Sequence, residues 1–114
     1  MVIHRNEMKV EEKERMREGE GSARLTYLLD GNTQRNARMF AEVTLNPGCS
    51  IGYHKHVSET EYYFILFGEG IVNDDGNEVP VKQGDSIITG NGASHGIKNT
   101  GSIPLVFHAV IVTY

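Results

Sequence analysis

Over most of this sequence, turn residues recur so often that no long helix fits between them. From Arg24 onward, short β-prone runs alternate with glycine, asparagine and aspartate clusters: Arg24–Leu29 ends at Asp30-Gly31, Met39–Leu45 at Asn46-Pro47-Gly48, and Glu61–Phe67 at Gly68. Gly70–Asn73 and Glu78–Lys82 flank Asp74-Asp75-Gly76-Asn77, a hairpin signature. Ile51–His56, Ser86–Thr89, His95–Lys98 and Leu105–Val112 complete nine runs. Their spacing of roughly 8–12 residues predicts an all-β sandwich or closed barrel. No segment carries the apolar stripe of a core helix. Pro80 belongs on a strand edge or in a ladder gap, because it has no N–H to donate.

The first 21 residues have a different texture. They are dense in charge, and Val10–Glu18 favours helix by propensity while offering almost no apolar face. The expected division is a charged arm over 1–21, with at most a short surface helix, followed by one domain over 22–114. A chain of 114 residues supports a single core. Its formal net charge of −4 argues against nucleic acid as a partner. One cysteine, Cys49, excludes an internal disulfide framework, and a packing role is expected for it. With no apolar segment of signal-peptide or membrane-span length, the expected address is the cytoplasm, away from membranes.

The chemistry concentrates in three of the five histidines. His54 and His56 are two apart, so on a strand both imidazoles share one face. Val57–Thr60 can turn the chain and bring Glu61 back beside them, and His95 follows on a later strand. Three imidazoles and a carboxylate suit one divalent transition metal: Mn, Fe, Co, Ni or Zn. An octahedral ion would keep positions open for a small-molecule ligand.

These residues fall in two spaced motifs. The first is Gly48, five residues, His54-Lys55-His56, four residues, Glu61, six residues, Gly68; the second is Gly84, five residues, Gly90-Asn91-Gly92, two residues, His95, three residues, Asn99. Together they resemble the paired motifs of the cupin superfamily, and they span about half the chain. One position departs: Gly90 stands where that family usually has proline. The resemblance implies a cupin-type double-stranded β-helix, or jelly-roll barrel, with His54, His56, Glu61 and His95 as metal ligands inside one end. In size and pattern the chain resembles small bacterial cupins labelled oxalate decarboxylases or mannose-6-phosphate isomerases. Oxalate-acting cupins usually carry an arginine three residues before the first motif histidine. Ile51 occupies that place here, so a cation would have to come from elsewhere, such as Arg24, Arg38 or Lys98.

Two functions are compatible with this pattern. One is a metalloenzyme, a decarboxylase, isomerase or dioxygenase, acting on a small carboxylate, sugar or enolisable ketone. The other is a binding or sensing module that holds such a ligand without turnover. The discriminating feature is a further polar group inside the barrel. His108 is the candidate catalytic residue if it points inward; otherwise it serves a core or subunit contact. Tyr63 shares a face with Glu61 and either reaches the pocket or packs in the core. Alternation from Glu61 places Tyr63, Ile65 and Phe67 inward and Tyr62, Phe64 and Leu66 outward. That outward apolar face predicts a homodimer.

Overall fold

The computed structural model describes all residues, 1–114. It contains ten strands: β1 (Lys9–Glu14), β2 (Ser22–Tyr27), β3 (Ala37–Leu45), β4 (Ser50–Lys55), β5 (Glu59–Phe67), β6 (Glu69–Asp74), β7 (Asn77–Lys82), β8 (Ser86–Gly90), β9 (Ser94–Lys98) and β10 (Leu105–Thr113). They form two sheets, one in the order β1-β2-β3-β10-β5-β8 and the other β4-β9-β6-β7. Every pairing is antiparallel. The nine expected runs are all strands, and the architecture is the expected jelly roll. No helix is long and apolar enough to cross a membrane.

Alternation decides what faces inward. Along β10, Leu105, Phe107, Ala109 and Ile111 are buried, while His108 and Val110 between them are only half-buried. Leu25, Val43, Leu45, Ile65, Val72 and Ile97 meet them from the other strands to form one core. Full burial of a Leu, Ile or Phe side chain contributes about 1.5–3 kcal/mol, so this layer carries most of the stability. The β6–β7 hairpin turns through Asp75 (φ 50°) and Gly76 (φ 99°), two successive left-handed residues that match strand twist. Asn73 Oδ1 accepts the Gly76 N–H at 2.8 Å and closes that turn. Pro80 lies on β7, an edge strand, where its missing N–H costs no ladder bond.

Two expectations need correction. The surface helix within Val10–Glu18 does not form: β1 pairs with β2 over its whole length, and Met16–Glu18 is a single 3-10 turn. Helix propensity is worth a few tenths of a kcal/mol per residue. Here it is outweighed by a complete ladder and by cross-strand pairs such as Arg24 Nε donating to Glu12 Oε1 at 2.6 Å. The charges that suggested a solvated arm suit an exposed sheet edge, which they protect from further pairing. The second correction is Phe67, which is 49% exposed rather than inward. The β10–β5 register jumps from Phe107↔Ile65 to Val106↔Phe67, leaving Leu66 unpaired, and this bulge takes Phe67 out of the alternation.

Candidate metal centre

His54 comes from β4, His56 from the residue after it, Glu61 from β5 and His95 from β9. His54 and His95 are direct cross-strand partners. His56 is locked by its own backbone, which accepts from Gly92 N–H and donates to Ala93 C=O. The four ligand atoms all lie within 4.8 Å of one another. His56, Glu61 and His95 are buried, and His54 is half-buried. His56 Nε2 and His95 Nε2 lie 3.0 and 2.9 Å from Glu61 Oε1, and 3.1 Å from each other.

Each imidazole is oriented by a partner on its other nitrogen. His54 Nδ1 is 2.7 Å from the Gly52 carbonyl oxygen, His56 Nδ1 is 2.6 Å from Glu59 Oε2, and His95 Nδ1 is 2.8 Å from Thr89 Oγ1. A carbonyl and a carboxylate only accept, so His54 and His56 donate from Nδ1. When neutral, each then presents a bare Nε2 lone pair to the cluster. A lone pair on His56 Nε2 facing a carboxylate oxygen at 3.0 Å is repulsive unless a proton or cation lies between them. The donor set therefore fits a divalent ion, with the outer partners that metal-bound histidines ordinarily have. Arg38 extends this shell, donating from Nε and one terminal amino group to the two Glu59 oxygens at 3.0 Å each.

Electrostatics agree. Burial opposes ionisation of Glu61, but the hydrogen bonds of His56 and His95 outweigh it and bring its pKa down to about 2. The hydrogen bond to Glu61 raises the pKa of His56, with Glu59 adding to it against the effect of burial. Burial lowers that of His54. Tyr63 is fully enclosed, and burial beside Glu61 keeps its hydroxyl protonated. Its ring stacks on His95 at 4.8 Å between centroids and meets Phe107 at 4.5 Å, joining the site to the apolar core. The two alternatives for Tyr63 are not exclusive: it is a core residue that also lines the pocket.

A cavity of about 520 Å³ opens onto the cluster, walled by Leu25, Val43, Ile51, Ala109 and Ile111 and rimmed by Lys13, Glu14, Arg15, Arg17 and Arg38. Of the two placements open to His108, the structure shows the one outside the barrel, which removes it as a candidate catalytic residue of this cavity. It sits on the outer face of the six-stranded sheet, edge-on to Phe40 with its Nε2 3.2 Å from Glu42 Oε1. Strand parity forces this, because His108 lies between the inward Phe107 and Ala109. Of the cations expected to replace the missing motif arginine, Arg24 is held at the sheet edge by Glu12, and Lys98 lies 3.3 Å from Glu20 outside the barrel. Arg38 lines the cavity but is committed to Glu59. Arg17, which sequence reasoning passed over because its segment read as a surface arm, also lines the cavity, and its charge acts on His54 and Tyr63. Glu59 and Thr89 were also missed; an acid placed three residues after His56 was the available signal for the former.

Gly90, where the family usually has proline, lies against β5: a Cβ there would run into Thr60 Oγ1. Thr60 in turn hydrogen-bonds the Tyr114 hydroxyl at 2.6 Å, so this corner is closed by contacts a bulkier residue 90 would displace. The motif asparagine, Asn99, is buried and donates to the Leu45 and Ile103 carbonyls at 2.8 Å each.

Jelly-roll sheets enclosing a three-histidine, one-glutamate cluster define a cupin. A family model described as Cupin domain matches residues 41–112, and the chain belongs to that family. It is 45% identical over 113 residues to the oxalate-binding protein of Thermotoga maritima, an alignment covering 98% of this chain and 93% of the relative. The crystal structure of a predicted oxalate decarboxylase from Thermotoga maritima superposes with a TM-score of 0.93 at 43% identity, covering 100% of both chains. The polyketide cyclase RemF of Streptomyces resistomycificus shares the fold with a TM-score of 0.77 at 20% identity, over 99% of this chain and 78% of its own.

Proposed function

We propose that the protein binds a small dicarboxylate of the oxalate class at one divalent metal ion held by His54, His56, Glu61 and His95. The observation that carries this reading is the convergence of four ligand atoms within 4.8 Å, with His54, His56 and Glu61 of that cluster lining an open cavity. A divalent ion there supplies a Lewis-acidic centre with positions left for ligand oxygens. The name of the Thermotoga maritima relative supports the oxalate class.

Between the two functional classes, the position of His108 favours binding without turnover. The cavity then contains no free imidazole to act as general base, and the Tyr63 hydroxyl is held protonated by burial. Titration of the Mn²⁺-loaded protein with oxalate in a calorimeter tests the reading, with mannose 6-phosphate and formate as comparisons. Saturable one-to-one binding of oxalate, stronger than that of either comparison, is expected. No heat with oxalate, or equal affinity for the sugar phosphate, contradicts it. Product analysis on the same mixture decides for the enzyme if oxalate is consumed.

We also propose that the chain forms a homodimer through the outer face of the six-stranded sheet. Tyr62, Phe64 and Ile88 are 42%, 46% and 66% exposed there. With Phe40, Val110 and His108 they line one groove of about 450 Å³. The contacts are contiguous, since Tyr62 faces Ile88 on one side and Val110 on the other. A contiguous apolar face on so small a domain favours a partner surface.

A further inference from the structure

The segment Arg15–Gly19 is a strap beside the cavity, which its residues Arg15, Met16 and Arg17 line. Its backbone is unusual: Arg15, Arg17 and Glu18 have φ of 50°, 53° and 64°, a region that long side chains seldom adopt. Such residues persist only where their surroundings over-determine them, and here the surroundings are specific. Arg15 N–H donates to the Gly21 carbonyl, Glu18 N–H to Arg15 and Gly19 N–H to Met16. The strap is pressed onto β4, the strand that carries His54. A Cβ at Gly52 would strike the Arg17 carbonyl oxygen, and one at Gly19 would strike that of Ser50. Two glycines facing each other across this contact admit the close approach. Ser50 binds the strap from both its groups: its N–H donates to the Glu20 carbonyl, and its hydroxyl oxygen accepts the Glu20 N–H at 2.8 Å.

This fixed strap delivers a side chain. Arg17 lines the cavity with His54, His56, Glu61 and Tyr63. Among the cations that line the cavity, salt bridges engage Lys13 and Arg38 and leave the guanidinium groups of Arg15 and Arg17 free. Of the two, Arg17 is the one whose backbone packs directly on Gly52, two residues before His54, and its charge acts on both His54 and Tyr63. A free cation beside a cluster that would hold a divalent ion is repelled by that ion, and is best accommodated when an anion sits between the two.

We infer that Arg17 is the anion anchor of the cavity, its guanidinium pairing with carboxylate oxygens of a dicarboxylate bound at the metal centre. This deepens the dicarboxylate reading above and rests on it. The planar fork of an arginine matches a carboxylate edge with two parallel hydrogen bonds, which a lysine cannot reproduce. Arg17 takes the part of the cation missing at Ile51. It does so from a different element, the N-terminal strap in place of β4.

The test is calorimetric titration of oxalate into Mn²⁺-loaded wild-type protein, Arg17→Gln, Arg17→Lys and Arg24→Gln, with metal content measured on each sample. Arg17→Gln is expected to bind oxalate about 10- to 100-fold more weakly, the loss of a charge-assisted hydrogen-bond pair. Its metal content should be unchanged and its circular dichroism that of the wild type. Arg17→Lys should recover part of the affinity, and Arg24→Gln, which removes the same charge outside the cavity, none of the loss should appear. Wild-type affinity in Arg17→Gln overturns the assignment and leaves the dicarboxylate reading standing. An equal loss in Arg24→Gln also overturns it, because the effect would then be one of net charge. Failure of the wild type to bind oxalate removes both.

Discussion

At the scale of single residues, the site depends on the hydrogen bonds behind its ligands. Glu59 accepts from His56 and is itself gripped by Arg38, so it fixes the tautomer that leaves Nε2 bare. Replacing Glu59 with Gln should lower metal affinity about 10- to 100-fold with the barrel intact, as outer-partner changes at metal-bound histidines generally do. Competition with a chromogenic chelator measures this directly. The same residues set the pH dependence. Glu61 stays ionised down to about 2 and does not limit binding at ordinary pH. His56 has a raised pKa, so it protonates before His54, whose pKa burial lowers, as pH falls. Protons and metal compete for the same lone pair. Affinity should therefore begin to fall at a pH above 6.5, the usual histidine value, and drop about tenfold per pH unit below that point. An onset below 6.5 would contradict this assignment of His56. The grouping of His54, His56, Glu61 and His95 was legible in the sequence because their spacing is local to two motifs. Glu59, Thr89 and Arg17 were not, because each acts through a contact that only strand register or a strap beside the cavity creates.

At the scale of elements, the junction between the strap and β4 is the most exacting contact. Gly52→Ala forces a methyl group into the Arg17 carbonyl. A cost of about 1–3 kcal/mol is expected from overpacking, seen as a lower thermal midpoint. Oxalate affinity should fall further than metal affinity, because the strap moves more readily than β4, which is held by β9. Unchanged oxalate binding in this variant would show that strap position does not matter. The strands themselves could be read from β2 to β10 because turn residues bound each one. β1 could not, since Lys9–Glu14 has neither β-branched enrichment nor alternation of apolar residues. Its strand state is conferred by the open edge of β2. The exposure of Phe67 was equally hidden, because the bulge at Leu66 belongs to the pairing with β10 and leaves no trace in β5 alone.

At the scale of the whole molecule, the two sheets divide the work. The inner faces make the core and the metal centre, and the outer face of the six-stranded sheet carries Tyr62, Phe64, Ile88 and Val110 around His108. Burying a few such side chains from each copy offsets much of the entropy of association. Light scattering at micromolar concentration is expected to give about twice the 12.7 kDa chain mass, and a mass near 12.7 kDa would rule the dimer out. The metal centre does not depend on that outcome, because all four ligand side chains come from one chain. Elemental analysis of protein purified without added metal, beside a His54→Ala/His56→Ala variant of unchanged circular dichroism, tests the metal centre most directly. One equivalent of a divalent transition metal per chain in the native protein and almost none in the variant is the predicted result; full occupancy in the variant would contradict the assignment.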